Sequence, residues 1–273
     1  LRPFVEARLK AGRAPKTINL ALSAVRRVLN LAARKWRDEG RTWLDAAPMI
    51  TMLPLVGQQR EPRPITWAEQ RQLLPRLPDH LARMALFDLQ TGARDAVVCG
   101  LRWEWEIPVP ELGISVFEVP RRAVKGRRHA RVLVCNSVAQ SIIESVRGEH
   151  PEFVFVYSER RKKSEPGPIE TMNNTAWQRA RAQAGLDDLH VHDLRHTVGM
   201  RLREAGVKEE TIADILWHNR RGMTAHYSVA QIVEIRDALE LITDERNRFN
   251  KSLSTLIREK SPQKVPKAQR KTG

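Results

Sequence analysis

Cysteine is nearly absent: Cys99 and Cys135 are the only two in 273 residues. Two thiols cannot build a disulfide framework, so they read as small buried side chains of a protein kept in a reducing cytoplasm. No apolar run reaches the length of about eighteen residues at which a membrane-spanning helix is considered. The opening Leu1-Arg2-Pro3-Phe4-Val5-Glu6 lacks the pattern of a secretory leader. It also lacks a methionine, as a fragment would. Aromatic residues make up only 5% of the chain, and two of them are tyrosines, Tyr157 and Tyr227. What is present suffices for folding. The 41% hydrophobic content supplies ordinary cores, and the length favours two domains.

The formal net charge of +15 is concentrated at the two ends. Residues 1–60 hold twelve Lys/Arg against four Asp/Glu, and residues 246–273 hold nine against one, a surplus of +8 in each segment. The middle, 61–245, holds 26 against 27, a balance of −1. Basic flanks of this kind suit a grip on a polyanion such as double-stranded DNA. An acidic membrane surface attracts the same charge, so the balance alone favours nucleic acid only modestly.

Periodicity places the elements. Ile18, Leu22, Val25, Leu29, Ala32 and Trp36 recur at steps of three and four, which predicts a helix over 17–36 with Pro15 at its start. Arg26, Arg27, Arg34 and Arg37 lie largely away from that stripe, where they can rest on phosphates. A shorter helix is expected in the first ten residues. Residues 46–64, with Pro48, Pro54, Gly57, Pro62 and Pro64, read as a linker. Thr66-Trp67-Ala68-Glu69 is a capping box that opens a new domain with a helix to about Leu77, or to an earlier end set by Pro75. Another helix runs from Asp79 to Gln90, with Gly92 fit for its terminal turn.

Residues 107–109, 114–119 and 131–134 read as three short strands, the last two joined by the cationic turn Arg121–Arg128. Helices are expected at 137–147, 171–184, 192–205, 208–217 and 229–243. Phe153–Val156 is a short buried strand or a core segment. The tail after Arg246 is polar, basic and expected to be disordered at its end. The fold class is therefore mainly α with a small antiparallel β-sheet. The domains are 1–60 (helical), 61–245 (helical with the sheet) and a tail over 246–273.

Two separated arginine motifs, Thr91-Gly92-Ala93-Arg94 and His192-Asp193-Leu194-Arg195-His196, precede His218, and Tyr227 follows nine residues later. Breaking a phosphodiester by transesterification needs a nucleophile, charge neutralisation at the phosphate and a proton for the leaving oxygen. A tyrosine can be the nucleophile, because the phosphotyrosine link conserves the energy of the broken bond and needs neither ATP nor another cofactor. Arginine suits the phosphate because its planar fork donates two parallel hydrogen bonds and stays charged. Each residue alone has a plainer reading. Arg94 could be a surface residue, Lys125 a solvated charge, and Tyr227 half-buried packing. The specificity lies in their order and spacing.

That set resembles the tyrosine recombinases, the phage integrase family of site-specific DNA recombinases, over roughly residues 10–243. The run His192-Asp193-Leu194-Arg195-His196-Thr197 and the later Ala205-Gly206-Val207 carry the likeness most strongly. The resemblance implies a SAM-like core-binding domain followed by an α+β catalytic domain, closed as a clamp around duplex DNA. It implies that Tyr227 attacks the scissile phosphate to form a 3′-phosphotyrosyl link, with Arg94 and Arg195 holding the phosphate and His218 adding a hydrogen bond. His192 would accept a proton or orient the nucleophile. Lys125 would protonate the departing 5′-oxygen, its basicity lowered by Arg122, Arg127 and Arg128, which would also contact DNA. The family implies a homotetramer on two DNA sites, with accessory DNA-bending or directionality proteins. Its amino-terminal arm-binding domain is not among these residues.

Two positions depart from the family's pattern. Val97 stands three residues after the first arginine, where an acidic residue is usual, with Asp95 or Glu104 as stand-ins. Trp217 stands where glycine usually precedes the second histidine. An alternative reading is therefore a catalytically weakened integrase-like protein that mainly binds DNA. A zinc site on His192 and His196 is disfavoured, because no glutamate takes the base position and Arg195 would repel a metal. A type IB topoisomerase shares the nucleophile, but the short two-domain layout favours a recombinase. The stripe Val229, Ile232, Val233, Leu239 and Ile242 suits docking either on a neighbouring protomer or on its own domain.

Overall fold

The structure, a computed structural model, describes residues 1–55, 57, 60–124, 126, 129–157, 165–218, 232–247 and 256. Its chain divides into two compact units, Leu1–Glu61 and Pro62–Gly273.

The first unit pairs helix α1 (Arg2–Lys10) with α2 (Pro15–Arg34). Ile18, Leu22 and Ala32 of the expected stripe are buried, but Val25 is 36% exposed. The helix ends at Arg34, short of Trp36. The chain there turns into a small antiparallel hairpin, β1 (Arg37–Asp38) with β2 (Arg41–Thr42), that periodicity did not reveal. Its turn residues Glu39 and Gly40 both have positive φ, as a tight two-residue hairpin demands. Trp36 and Trp43 flank it with ring centroids 5.2 Å apart. The linker is pinned to α2: Asn19 donates to the Leu53 carbonyl at 2.9 Å and accepts from its amide at 2.8 Å.

The second unit opens with α3 (Trp67–Leu73). Its capping box is formed: Thr66 Oγ1 accepts from the Glu69 amide at 3.1 Å, and Glu69 accepts from the Thr66 amide at 2.8 Å. Such a cap contributes about 1 kcal/mol. Then come α4 (Asp79–Thr91) and α5 (Asp95–Cys99), followed by strands β3 (Glu106–Val109), β4 (Ile114–Val119) and β5 (Arg131–Val134). The strands form one antiparallel sheet in the order β3-β4-β5, with Val116 opposite both Ile107 and Val134. The remaining helices are α6 (Ser137–Val146), α7 (Thr175–Gln183), α8 (His192–Glu204), α9 (Glu209–Ile215) and α10 (Ile232–Glu240).

Alternation along β4 builds two cores. Phe117 and Val119 join the larger cluster with Phe87, Leu101, Trp177 and Leu194, while Ile114 and Val116 join a second with Val198, Leu202, Leu216 and Leu239. The α7 helix starts at Thr175, later than 171, because Asn174 caps it by accepting from the Ala176 and Trp177 amides. Phe153–Val156 is a core segment rather than a strand. Val154 and Phe155 are buried, but only a single bridge joins Phe153 to Arg102. The stripe on α10 divides. Leu239 and Ile242 lie in the second core, Ile232 and Val233 are exposed, and Val229 is outside the described residues. Among the described residues no helix is long and apolar enough to cross a membrane.

Candidate active site

The site gathers where α4 ends, α5 and α8 begin, and α9 stops. Gly92 ends α4 at φ +65°. A Cβ there would stand 2.8 Å from Leu216 Cδ2 and 3.2 Å from Val198 Cγ1, so both the backbone and the space require glycine. The sharp turn delivers Arg94 as the residue capping α5. The start of α8 is fixed by Asp193, whose carboxylate accepts from the His190 amide at 2.8 Å and the Arg63 amide at 3.0 Å. One turn on, Thr197 accepts from the Ile65 amide at 2.9 Å. These bonds lock the first turn of α8 and aim Arg195 inward.

Arg195 is 4% exposed, and its Nη1 donates to the Gly92 carbonyl. Its Nη2, and Nη1 of Arg94, are buried without a hydrogen-bond partner. Burial, with the Arg94 charge second and Asp88 opposing, lowers the Arg195 pKa to about 10, so it stays charged at neutral pH. Burial and then the charge of Arg131, the first residue of β5, lower that of Arg94. His192 and His218 are both held below the usual histidine value. Both residues keep an exposed face, and partial burial leads in each case; the charges of Arg195, Arg94 and His196 add to it, while Asp193 opposes it at His192. The His192 and His196 rings meet edge to face at 4.8 Å. The structure thus brings Arg94, Arg195, His192 and His218 together.

Buried cationic donors without partners are costly unless an anion completes them. Two guanidinium groups and two imidazoles that favour the neutral form make a receptor for a phosphate, with groups able to accept or share protons beside it. Among the described residues, no group of three or more His, Cys, Asp and Glu is placed to hold a metal ion.

Arg26, Arg27, Arg34 and Arg37 are exposed in the first unit. Arg122 is exposed on the second, 3.5 Å from Glu104. Lys125, Arg127, Arg128 and Tyr227 lie outside the described residues. Neither stand-in for the missing acid reaches Arg94 among the described residues. Asp95 accepts from Thr171 Oγ1 at 2.6 Å and the Met172 amide at 2.9 Å, while Glu104 accepts from the Trp105 indole at 3.1 Å. Val97 is buried in the core. A carboxyl that does bear on Arg195 is Asp88 of α4. It is 1% exposed, and burial raises its pKa well above the usual range while Arg195 draws it back. The signal for it was an acid inside the apolar run Met84–Leu89, just one turn before Gly92. Arg131 had no comparable signal.

Tyr157 is set apart from this site. Its ring stacks on His80, centroids 4.4 Å apart, in the first turn of α4. The arginines meet at that helix's far end, about 18 Å away at the helical rise per residue.

The sequence model described as the phage integrase family matches residues 68–232. An integrase of Salmonella phage P22 is 29% identical over 195 residues, which are 68% of this chain and 46% of that protein. The chain thus spans less than half the length of this relative. Three solved structures share the fold. An integrase of transposon Tn1549 in complex with circular intermediate DNA is 18% identical, covers 86% of this chain and 82% of its own, and has a TM-score of 0.55. The integrase from mycobacterium phage Brujita is 18% identical, with coverages of 91% and 79% and a TM-score of 0.51. The XerH site-specific recombinase bound to a palindromic difH substrate is 12% identical, with coverages of 85% and 66% and a TM-score of 0.55. With more than half of its residues matched by the family's sequence model, and with that family's fold around a cluster of arginines and histidines, the chain belongs to the phage integrase family.

Proposed function

We propose that this chain is a site-specific DNA recombinase that cuts and rejoins duplex DNA through a 3′-phosphotyrosyl intermediate, without metal or ATP. The observation that carries the reading is the pair Arg94, half-buried, and Arg195, buried, each with a buried guanidinium nitrogen left without a hydrogen-bond partner. Tyr227 attacks the scissile phosphorus as its phenolic proton passes toward His192. Arg94, Arg195 and His218 hold the non-bridging oxygens through the crowded transition state. Lys125 delivers a proton to the departing 5′-oxygen. A 5′-hydroxyl from another strand then reverses the steps and joins new partners. Tyr157, held against His80, is a helix-length from the arginines, which leaves Tyr227 for the attack.

In the same reading, residues 1–60 are the DNA-gripping core-binding domain, 61–245 the catalytic domain and 246–273 a basic tail. The protein works in the cytoplasm as a homotetramer on two DNA sites, with accessory DNA-bending or directionality proteins. One observation favours a second reading, a weakened enzyme acting mainly as a DNA binder: apolar Val97 fills the usual acidic position, and Asp95 and Glu104 are engaged elsewhere. Nicked suicide duplexes, selected from a random library on the wild-type protein, separate the two. A covalent adduct that is lost in Tyr227→Phe supports the recombinase. A folded wild-type protein that binds these duplexes and yields no adduct establishes the binder.

A further inference from the structure

Trp217 is one of two non-glycine residues among those described with a positive φ, at +50°. It follows the last turn of α9, where the His218 amide bonds back to the Ala213 carbonyl at 2.8 Å and the Trp217 amide to Asp214 at 3.1 Å. That helix-ending pattern places one residue in the left-handed region, usually a glycine. A bulky side chain persists in such a conformation only where its surroundings hold it there, and such sites cluster around function.

The surroundings are specific. The indole N–H donates to the Val132 carbonyl of β5 at 3.0 Å. The ring is 6% exposed, within the larger core. The Arg94 guanidinium carbon lies 5.9 Å from the ring centroid, within reach of the attraction between a cation and an aromatic face. The next residue is His218, whose position the same turn sets. One side chain therefore ties together a strand of the sheet, the first arginine and the second histidine.

We infer that Trp217 is a positioning residue, which clamps the His218 turn to β5 and supports Arg94 with an aromatic face where the carboxylate usual in the family is missing. On this account the two departures, Val97 and Trp217, belong to one change: support for Arg94 passes from an acid to a neutral ring. A neutral support also leaves the positive charge of Arg94 undiminished for an incoming phosphate. The inference rests on the proposed strand transfer, and its test separates the two.

The suicide duplexes report the adduct-forming rate at saturating DNA and, separately, the affinity. Trp217→Gly removes both backbone strain and indole. The expected rate falls about 100-fold, the scale of loss when a catalytic group is misplaced by about 1 Å. Affinity, set mostly by exposed phosphate contacts, changes less than about threefold. Trp217→Phe keeps the ring and restores most of the rate. Should the glycine variant fail to fold, Trp217→Leu retains apolar bulk without the ring face or the N–H and is read in the same way. A cycle with Arg94→Ala, read by thermal melting, is expected to be non-additive. A folded Trp217→Gly or Trp217→Leu protein with the wild-type rate, or additive melting shifts, overturns the inference. Absence of any adduct from the wild type overturns the proposed function instead, and the melting cycle then decides the role of Trp217 alone.

Discussion

Arginine serves two purposes in this chain, and the difference is environment. In the first unit, Arg26, Arg27, Arg34 and Arg37 are exposed on and just after a helix that keeps only Ile18, Leu22 and Ala32 fully buried. They stay hydrated and interchangeable, and what they offer a polyanion is long-range attraction that salt screens. In the second unit, Arg195 is 4% exposed, tied to the Gly92 carbonyl and left with an unpartnered donor, and Arg94 is left with one as well. The unpartnered nitrogen of each has lost water before any ligand arrives. Exposed arginines give affinity, while buried ones give a charge fixed at one point, which a transition state requires.

The sharpest break of that comparison is Arg195→Met. Adduct formation on a suicide duplex is expected to fall at least about 10³-fold, from the loss of an oxyanion donor. The same variant is expected to melt lower than wild type, because it leaves the buried Gly92 carbonyl without its donor and buried Asp88 without its cationic neighbour. Arg26→Met, by contrast, leaves the melting temperature unchanged. Gly92→Ala comes next. The added methyl meets Leu216 and Val198 at positive φ, so a stability loss of about 1–3 kcal/mol is expected in chemical denaturation, together with displaced Arg94 and Arg195 and lost activity.

The paired change Arg26→Ala with Arg27→Ala tests the other side. DNA affinity is expected to weaken alike on all sequences, and the slope of log affinity against log salt to fall by about 2, while the saturating adduct rate holds. A change in that rate would dissolve the division between the two kinds of arginine. The smallest effect is in pH. His192 and His218 have lowered pKa values in the folded state, so the folded protein binds fewer protons than the unfolded chain. Their contribution is fully present above the ordinary histidine value of about 6.5 and is lost as pH falls through the folded values. Melting of the DNA-free protein from pH 7.5 to about 5.5 should therefore decline less steeply in His218→Asn than in wild type.

Legibility in the sequence followed the range of the interactions. The capping box at Thr66, the glycine stop at Gly92 and the three strands are set by neighbours in sequence, and the structure has them where the pattern placed them. The gathering of Arg94, Arg195, His192 and His218 was readable because the motifs that hold them have fixed spacing. Asp88 escaped because it acts across space, from α4 to α8, and nothing local marks which buried acid faces which arginine. The β1–β2 hairpin escaped because two-residue strands carry no periodicity. Trp217 looked like an obstacle in the sequence. Its left-handed backbone and its bond to Val132 exist only once α9 and β5 are side by side.

The most direct test uses the scarcity of tyrosine. The covalent protein–DNA complex is trapped, digested with protease and nuclease, and the peptide bearing a nucleotide is sequenced by mass spectrometry. The account predicts a 3′-linked nucleotide on the peptide containing Tyr227 and an unmodified Tyr157 peptide. A nucleotide on Tyr157 or on a serine, or a 5′-linkage at either tyrosine, would contradict it.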